Sequence, residues 1–345
     1  MGMTMDVKGL YTPKARFSAR ETRDKFDFAI QSKFHSLDFT LDDFDIGAFV
    51  GDGAHGQVFL ARERRTGFIC VLKCIFKSQL VKNGQEAIFK REIELHGHLR
   101  HPNIACLYTW FTSPTMIFIV MEYCYNGDLF NYMSKHGQLS EERVSEILFE
   151  VIWAIRSCHD KRIAHLDIKP ENILLDHENR CKLADFGFSA HIGHLYRSNG
   201  VPHHRGTHDY WSPEQCAKHL GLGLKYGEYD EQSDIWALGI LAVELFIGYP
   251  PFGSTTEEPN NVIMNRIHTY HWTKHIFEMK REKHLLSSTP EFRSFVEACL
   301  RKHSFKRPKA DELLMHPWIV KHNINRFKDE AFISQPRSGY NYRKS

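Results

Sequence analysis

The sequence predicts an α+β chain of two lobes. A small, mainly antiparallel β unit carrying one key helix comes first, and a larger, mainly helical unit follows. Three observations predict it. Between Phe44 and Met121 apolar and polar residues alternate in short runs separated by glycine-containing turns. After Asp128 the period becomes helical, with Val144, Ile147, Leu148, Val151, Ile152 and Ile155 along one face. The length, 345 residues, suits two domains or one two-lobed unit.

Composition excludes several classes. The chain is 42% hydrophobic and 25% charged, ordinary for a globular protein with a large core. A net charge of +3 is too mild to demand nucleic acid. The apolar stretch 116–121 is short, and 235–249 is interrupted by Glu244, so neither is read as a membrane span. No apolar leader is visible. The eight cysteines form no CxxC pair, which points to a reduced, intracellular protein.

Residues 1–43 show no sustained period and read as a flexible N-terminal extension that docks a few aromatics, such as Phe26, Phe28 and Phe34, or none. Strands are expected at 44–50 and 57–62, joined by a turn containing Gly51, Gly53 and Gly56. Glycine there lets backbone N–H groups approach a phosphate. Dinucleotide folds also use G-x-G-x-x-G, but their turn leads into a helix, whereas this one leads into a strand with Val58 two places after the last glycine. A third strand, 68–75, carries Lys73, a charge expensive to bury unpaired. The helix expected at 85–99 offers Glu92 as its partner. Strands at 102–112 and 115–121 follow, then a connector, Glu122 to Cys124, and Asp128 on a turn with Gly127. A long amphipathic helix is expected at 139–162, with Ser140 as N-cap and Arg143 at N3.

The chemistry concentrates between His165 and Gly187. Asp167, Lys169 and Asn172 stand close together, and the hairpin-like run Ile173 to Leu175 leads on to Asp185. Acidic and amide side chains this close together, with a lysine among them, suit phosphoryl transfer.

This stretch matches the protein-kinase signature H-x-D-x-K-x-x-N…D-F-G. The resemblance covers about residues 44–319, split into an N-lobe, 44–123, and a C-lobe, 124–319, with a basic tail at 320–345. Asp167-Ile168-Lys169-Pro170-Glu171-Asn172, with Thr207 after Gly206, looks like the serine/threonine type. Phe76-Lys77-Ser78-Gln79-Leu80, Arg91-Glu92-Ile93-Glu94 and His98 to Ile104 resemble the Aurora kinases; a Polo-like, AGC or calcium-regulated kinase is the neighbouring alternative. The resemblance implies a two-lobed kinase fold using ATP and Mg²⁺. It implies Asp167 and Lys169 as catalytic residues and Asn172 and Asp185 as metal ligands. By the same resemblance, Glu214 is expected to be buried against Arg307, and Asp234 to cap the loop around His165. Gly51, Gly53, Gly56, Val58, Val71, Lys73, Glu92, Met121, Glu122, Cys124, Asp128 and Leu174 would hold the nucleotide. It further implies a monomer acting on the spindle, centrosome or chromosomes in mitosis, tightened by a protein docking on the N-lobe, with no nucleic acid or membrane partner. Glu171 and Asp128 favour substrates with arginine or lysine upstream of the acceptor.

Three departures stand out. Leu166 replaces the family's arginine, which pairs with a phosphate on the activation segment. The residues before Gly206 (Pro202, His203, His204, Arg205) lack the usual threonine, so acceptor and receiver are missing together. His96 sits where most kinases place an apolar residue, and a stack of His96, Leu107, His165 and Phe186 is expected to pack loosely or to be satisfied locally. Histidines 191, 194, 203, 204 and 208 invite a zinc reading or a pH-sensitive loop. A non-catalytic scaffold of the same fold is the second functional reading. Against it stand Lys73, Glu92, Asp167, Lys169, Asn172 and Asp185, all present together.

Overall fold

Three antiparallel strands grow from the first alternating stretch: β1 (Phe44–Gly53), β2 (Gly56–Glu63) and β3 (Ile69–Phe76). The computed structural model describes residues 39–53, 56–192, 208–223, 230–254, 257–269 and 287–328. The chain divides into two units. The first takes in residues up to 100 together with 105–125 and 176–178; the second takes in 101–104, 126–175 and 179 onward.

In the first unit β3 is followed by α1 (Lys77–Lys82), α2 (Glu86–Gly97), β4 (Leu107–Thr112) and β5 (Met116–Met121). The sheet order is β1-β2-β3-β5-β4. On one face Phe44, Leu72, Phe111 and Phe118 form a core, with Phe44 stacked on Phe111 at 5.6 Å between centroids. On the other face Ile75 and Ile119 meet Leu80 of α1 and Phe89 of α2, which is how the helix carrying Glu92 is seated. The short α1 was not expected from the sequence. It ends where Gly84 takes a left-handed φ of 61°.

The strand expected at 102–112 begins only at Leu107. Pro102 has no N–H to give a ladder, and Ile104 N turns back to His101 O at 3.1 Å. Asn103 belongs to the second unit, where its side chain donates to Cys181 O at 2.9 Å.

The second unit contains α3 (Leu129–His136), α4 (Glu141–Asp160), β6 (Ile163–Ala164), β7 (Ile173–Leu175), β8 (Cys181–Leu183) and β9 (Ala190–His191). Then come α5 (Pro213–His219), α6 (Gln232–Ile247), α7 (Asn260–Thr269), α8 (Pro290–Cys299), α9 (Ala310–Leu314) and α10 (Pro317–Asn323). Ser140 caps α4, its Oγ accepting from Arg143 N at 3.2 Å. Helix α6 is buried from Ser233 to Ile247. Its Gly239 lets α8 approach closely, since a Cβ there would meet Cys299 Cβ at 2.7 Å. Helix α10 crosses the boundary expected at residue 320, and beyond it Phe327 lies edge-on to Phe149 of α4 at 5.2 Å. Among the described residues no helix is long and apolar enough to cross a membrane.

Candidate active site

In the first unit the three glycines serve different needs. A Cβ on Gly56 would strike Cys74 O at 2.2 Å, so β2 and β3 can pair there only with glycine. Gly53 lies beside Lys73, whose Cε would be 3.3 Å from an added Cβ. Gly51 faces open space. Ala54 and His55, at the tip, lie outside the described residues. Lys73 pairs across the sheet with Val58, and Val71 with Met121. Lys73 Nζ meets Glu92 Oε1 at 3.0 Å, with both side chains less than a tenth exposed. Glu92 offsets the cost of burying that ammonium. In the connector, Glu122 N donates to Cys106 O at 2.9 Å, so that N–H is committed to the sheet edge. His96 is buried and gives its Nε2 hydrogen to Ala105 O at 2.6 Å. Burial pushes its pKa down to about 4, which keeps the ring neutral.

In the second unit, three side chains converge on Asp167. Lys169 Nζ lies 3.1 Å from its Oδ2. Asn172 Nδ2 donates to the same oxygen at 2.7 Å and to Asp167 O at 2.8 Å. The third, His165, accepts from Asp167 N at 3.3 Å through Nδ1 and donates from Nε2 to Ala184 O at 3.1 Å. The loop itself hangs on Asp234 of α6, whose Oδ2 accepts from His165 N at 2.9 Å and whose Oδ1 accepts from Leu166 N at 2.7 Å. His159 adds a third donor to this fully buried carboxylate, at 2.8 Å. The β7–β8 hairpin carries the chain from Asn172 to Asp185, which takes a φ of 57° and accepts from Gly187 N at 3.1 Å. Phe186 is buried edge-on to His165 at 4.9 Å.

The donor set fits a hard divalent cation. Asn172 spends its amide hydrogens on Asp167, which turns its carbonyl oxygen away, and Asp185 supplies a carboxylate. Asp128 and Leu174 form an isolated antiparallel bridge. The Asp128 carboxylate also caps α3, accepting from Asn131 N at 2.7 Å.

Residues 44–319 match the protein kinase domain family. The chain belongs to the protein kinase family. It is 36% identical over 304 residues to Aurora kinase B of Danio rerio, covering 88% of this chain and 87% of the relative. It is 35% identical over 286 residues to Aurora kinase C of Mus musculus, covering 83% and 94%. To Aurora kinase B of Xenopus tropicalis it is 35% identical over 300 residues, covering 87% and 76%. The protein is therefore an Aurora-like serine/threonine kinase, an enzyme that uses ATP and a divalent metal ion and acts on protein substrates.

Two further features of the kinase lie beyond Asp185. Arg307 grips Glu214 through both guanidinium arms, at 2.6 and 2.7 Å, with both side chains almost fully buried. The second feature is a buried carboxylate missed from sequence. Glu244 of α6 accepts a hydrogen bond from Tyr210 O–H. Burial raises its pKa to about 7, and Glu171 and Asp209 push it the same way. Its signal was an acid interrupting the most apolar stretch of the chain, read only as excluding a membrane span. Of the histidines considered for zinc, 194, 203 and 204 lie outside the described residues. Among the described residues, no group of three or more His, Cys, Asp or Glu is placed to hold a metal. The His208 ring packs on Trp211 at 4.3 Å.

Proposed function

We propose that this kinase transfers the γ-phosphate of Mg·ATP to serine or threonine in protein segments that carry arginine upstream of the acceptor. The observation that carries the reading is the convergence of Lys169 and Asn172 on Asp167. Asp167 accepts the proton of the attacking hydroxyl, and Lys169 meets the charge that gathers on the phosphoryl oxygens. Asn172 and Asp185 would hold Mg²⁺, which when bound neutralises phosphate charge. Lys73, fixed by Glu92, orients the α- and β-phosphates, and glycines 51, 53 and 56 admit the backbone to them. Val58, Val71, Met121, Leu174 and the connector residues Glu122 and Cys124 complete the nucleotide set.

Glu171 and Asp128 favour arginine by charge-assisted hydrogen bonds. The domain plan is a kinase domain at 44–319 with an extension before it and a basic tail after it. Likeness to Aurora kinases supports a monomeric mitotic enzyme at the spindle, centrosome or chromosomes, with an activator docking on the N-lobe. Leu166 and the residues before Gly206 support activity that does not depend on phosphorylation at the position usual in the family. The test is Mg²⁺-dependent phosphorylation of arrayed peptides by the full chain beside Asp167→Asn. Turnover on the order of 1–100 s⁻¹, with selection for upstream arginine, is expected. No turnover with magnesium and an activator overturns the reading. A requirement for phosphate on Tyr196 or Ser198 overturns its regulatory part.

A further inference from the structure

After Phe186 the chain returns to the loop that carries Asp167. Ser189 Oγ donates to His165 O at 3.2 Å. Strand β9 pairs with β6 through Ile163 with His191 and Ala164 with Ala190. Ile192 N donates to Arg162 O at 2.9 Å. Two residues of ladder are too few to hold a seam on hydrogen bonds alone. The seam also has an apolar side: Ala164, Ala190 and Ile192 form a small buried cluster, and Leu166 packs against it. Leu166 adopts a φ of 69°. That backbone is unfavourable for an aliphatic residue, and asparagine or glycine would accept it more readily. Its N–H is held by Asp234 at 2.7 Å, so the strained conformation is fixed from α6 while the side chain covers the seam.

We propose that Leu166 is a positioning residue whose side chain latches the β6–β9 seam, and so sets Asp167 and the segment that follows Asp185 in one register. Asp167 is its neighbour in the chain, and a displaced seam would move the base by the fraction of an ångström to which proton transfer is sensitive. The latch is apolar. Its hold is therefore insensitive to salt and to charge added farther along the segment, unlike an ion pair in the same place. The inference rests on the phosphotransfer reading.

The test compares Leu166→Ala, Leu166→Asn and Leu166→Met in the full chain. Asparagine suits the left-handed backbone but removes the apolar contact, whereas methionine keeps the contact. Alanine and asparagine are expected to lower kcat on the order of tenfold or more, with the KM for ATP unchanged. They are also expected to speed hydrogen exchange at the Ile192 amide, and methionine to restore both. Wild-type kcat and exchange in Leu166→Asn would overturn the latch, leaving backbone conformation as what the site needs. Equal loss of ATP affinity and of the melting transition in all three variants would overturn it as well, reducing Leu166 to general packing. A wild-type chain without turnover would sink the phosphotransfer reading, while Ile192 exchange would still decide the latch.

Discussion

Asn172 gives two hydrogen bonds to a single residue, Asp167: one to the backbone oxygen at 2.8 Å and one to Oδ2 at 2.7 Å. The amide thus sets the rotamer of the proposed base. Asn172→Ala should lose both hydrogen bonds, lowering kcat by roughly 10²–10⁴-fold, as Asp167→Asn should. Because the two act as a unit, the double variant should lose little more than the worse single one. Single-turnover kinetics on the three proteins would check this, and fully additive losses would contradict it.

Glycines 51 and 56 should respond differently to alanine. A Cβ at position 56 meets Cys74 O at 2.2 Å, so Gly56→Ala should destabilise the first sheet by about 1–3 kcal/mol or more. At position 51 the Cβ meets nothing, so Gly51→Ala should melt like the parent and lose nucleotide affinity instead. Thermal melts beside nucleotide titrations separate the two effects.

Glu214 leaves only 1% of its side chain exposed, and Arg307 is its guanidinium partner. Arg307→Leu leaves that carboxylate unpaired and should lower stability by about 3–5 kcal/mol. Adding Glu214→Leu should recover part of the loss, because no charge then stays buried. Urea unfolding of the single and double variants reads this directly.

Glu244 makes stability depend on pH. Its folded pKa, about 7, lies above the ordinary 4.5, so the folded state holds a proton that the unfolded chain releases. The stabilisation is complete below the ordinary value and is lost as pH rises through the folded one. Relative to Glu244→Gln, the parent should lose on the order of 2–3 kcal/mol between about pH 5 and pH 8. Paired denaturant curves across that range measure it, and parallel pH profiles would contradict it.

Whatever depends on short spacing was legible in the sequence. The run from His165 to Asp185, the N-cap at Ser140 and the alternation of β1 to β3 are set by residues a few places apart, whose preferences hold locally. Lys73 with Glu92 was legible because a buried charge must find an opposite charge, which narrows the choice. Glu214 with Arg307, and Asp234 beneath the loop, were legible only through the resemblance to protein kinases. The fold decided the rest. Strand β4 begins at Leu107 because Asn103 finds its partner in Cys181, 78 residues on. Glu244 reads in sequence as a blemish in an apolar helix, and only packing brings it to Tyr210, Asp209 and Glu171. Leu166 reads as a missing arginine, and only the pairing of β6 with β9 gives its side chain something to cover. Local preferences are written residue by residue. Which distant faces share one buried space is settled by the packing of the whole chain, and that packing gives Glu244 and Leu166 their chemical meaning.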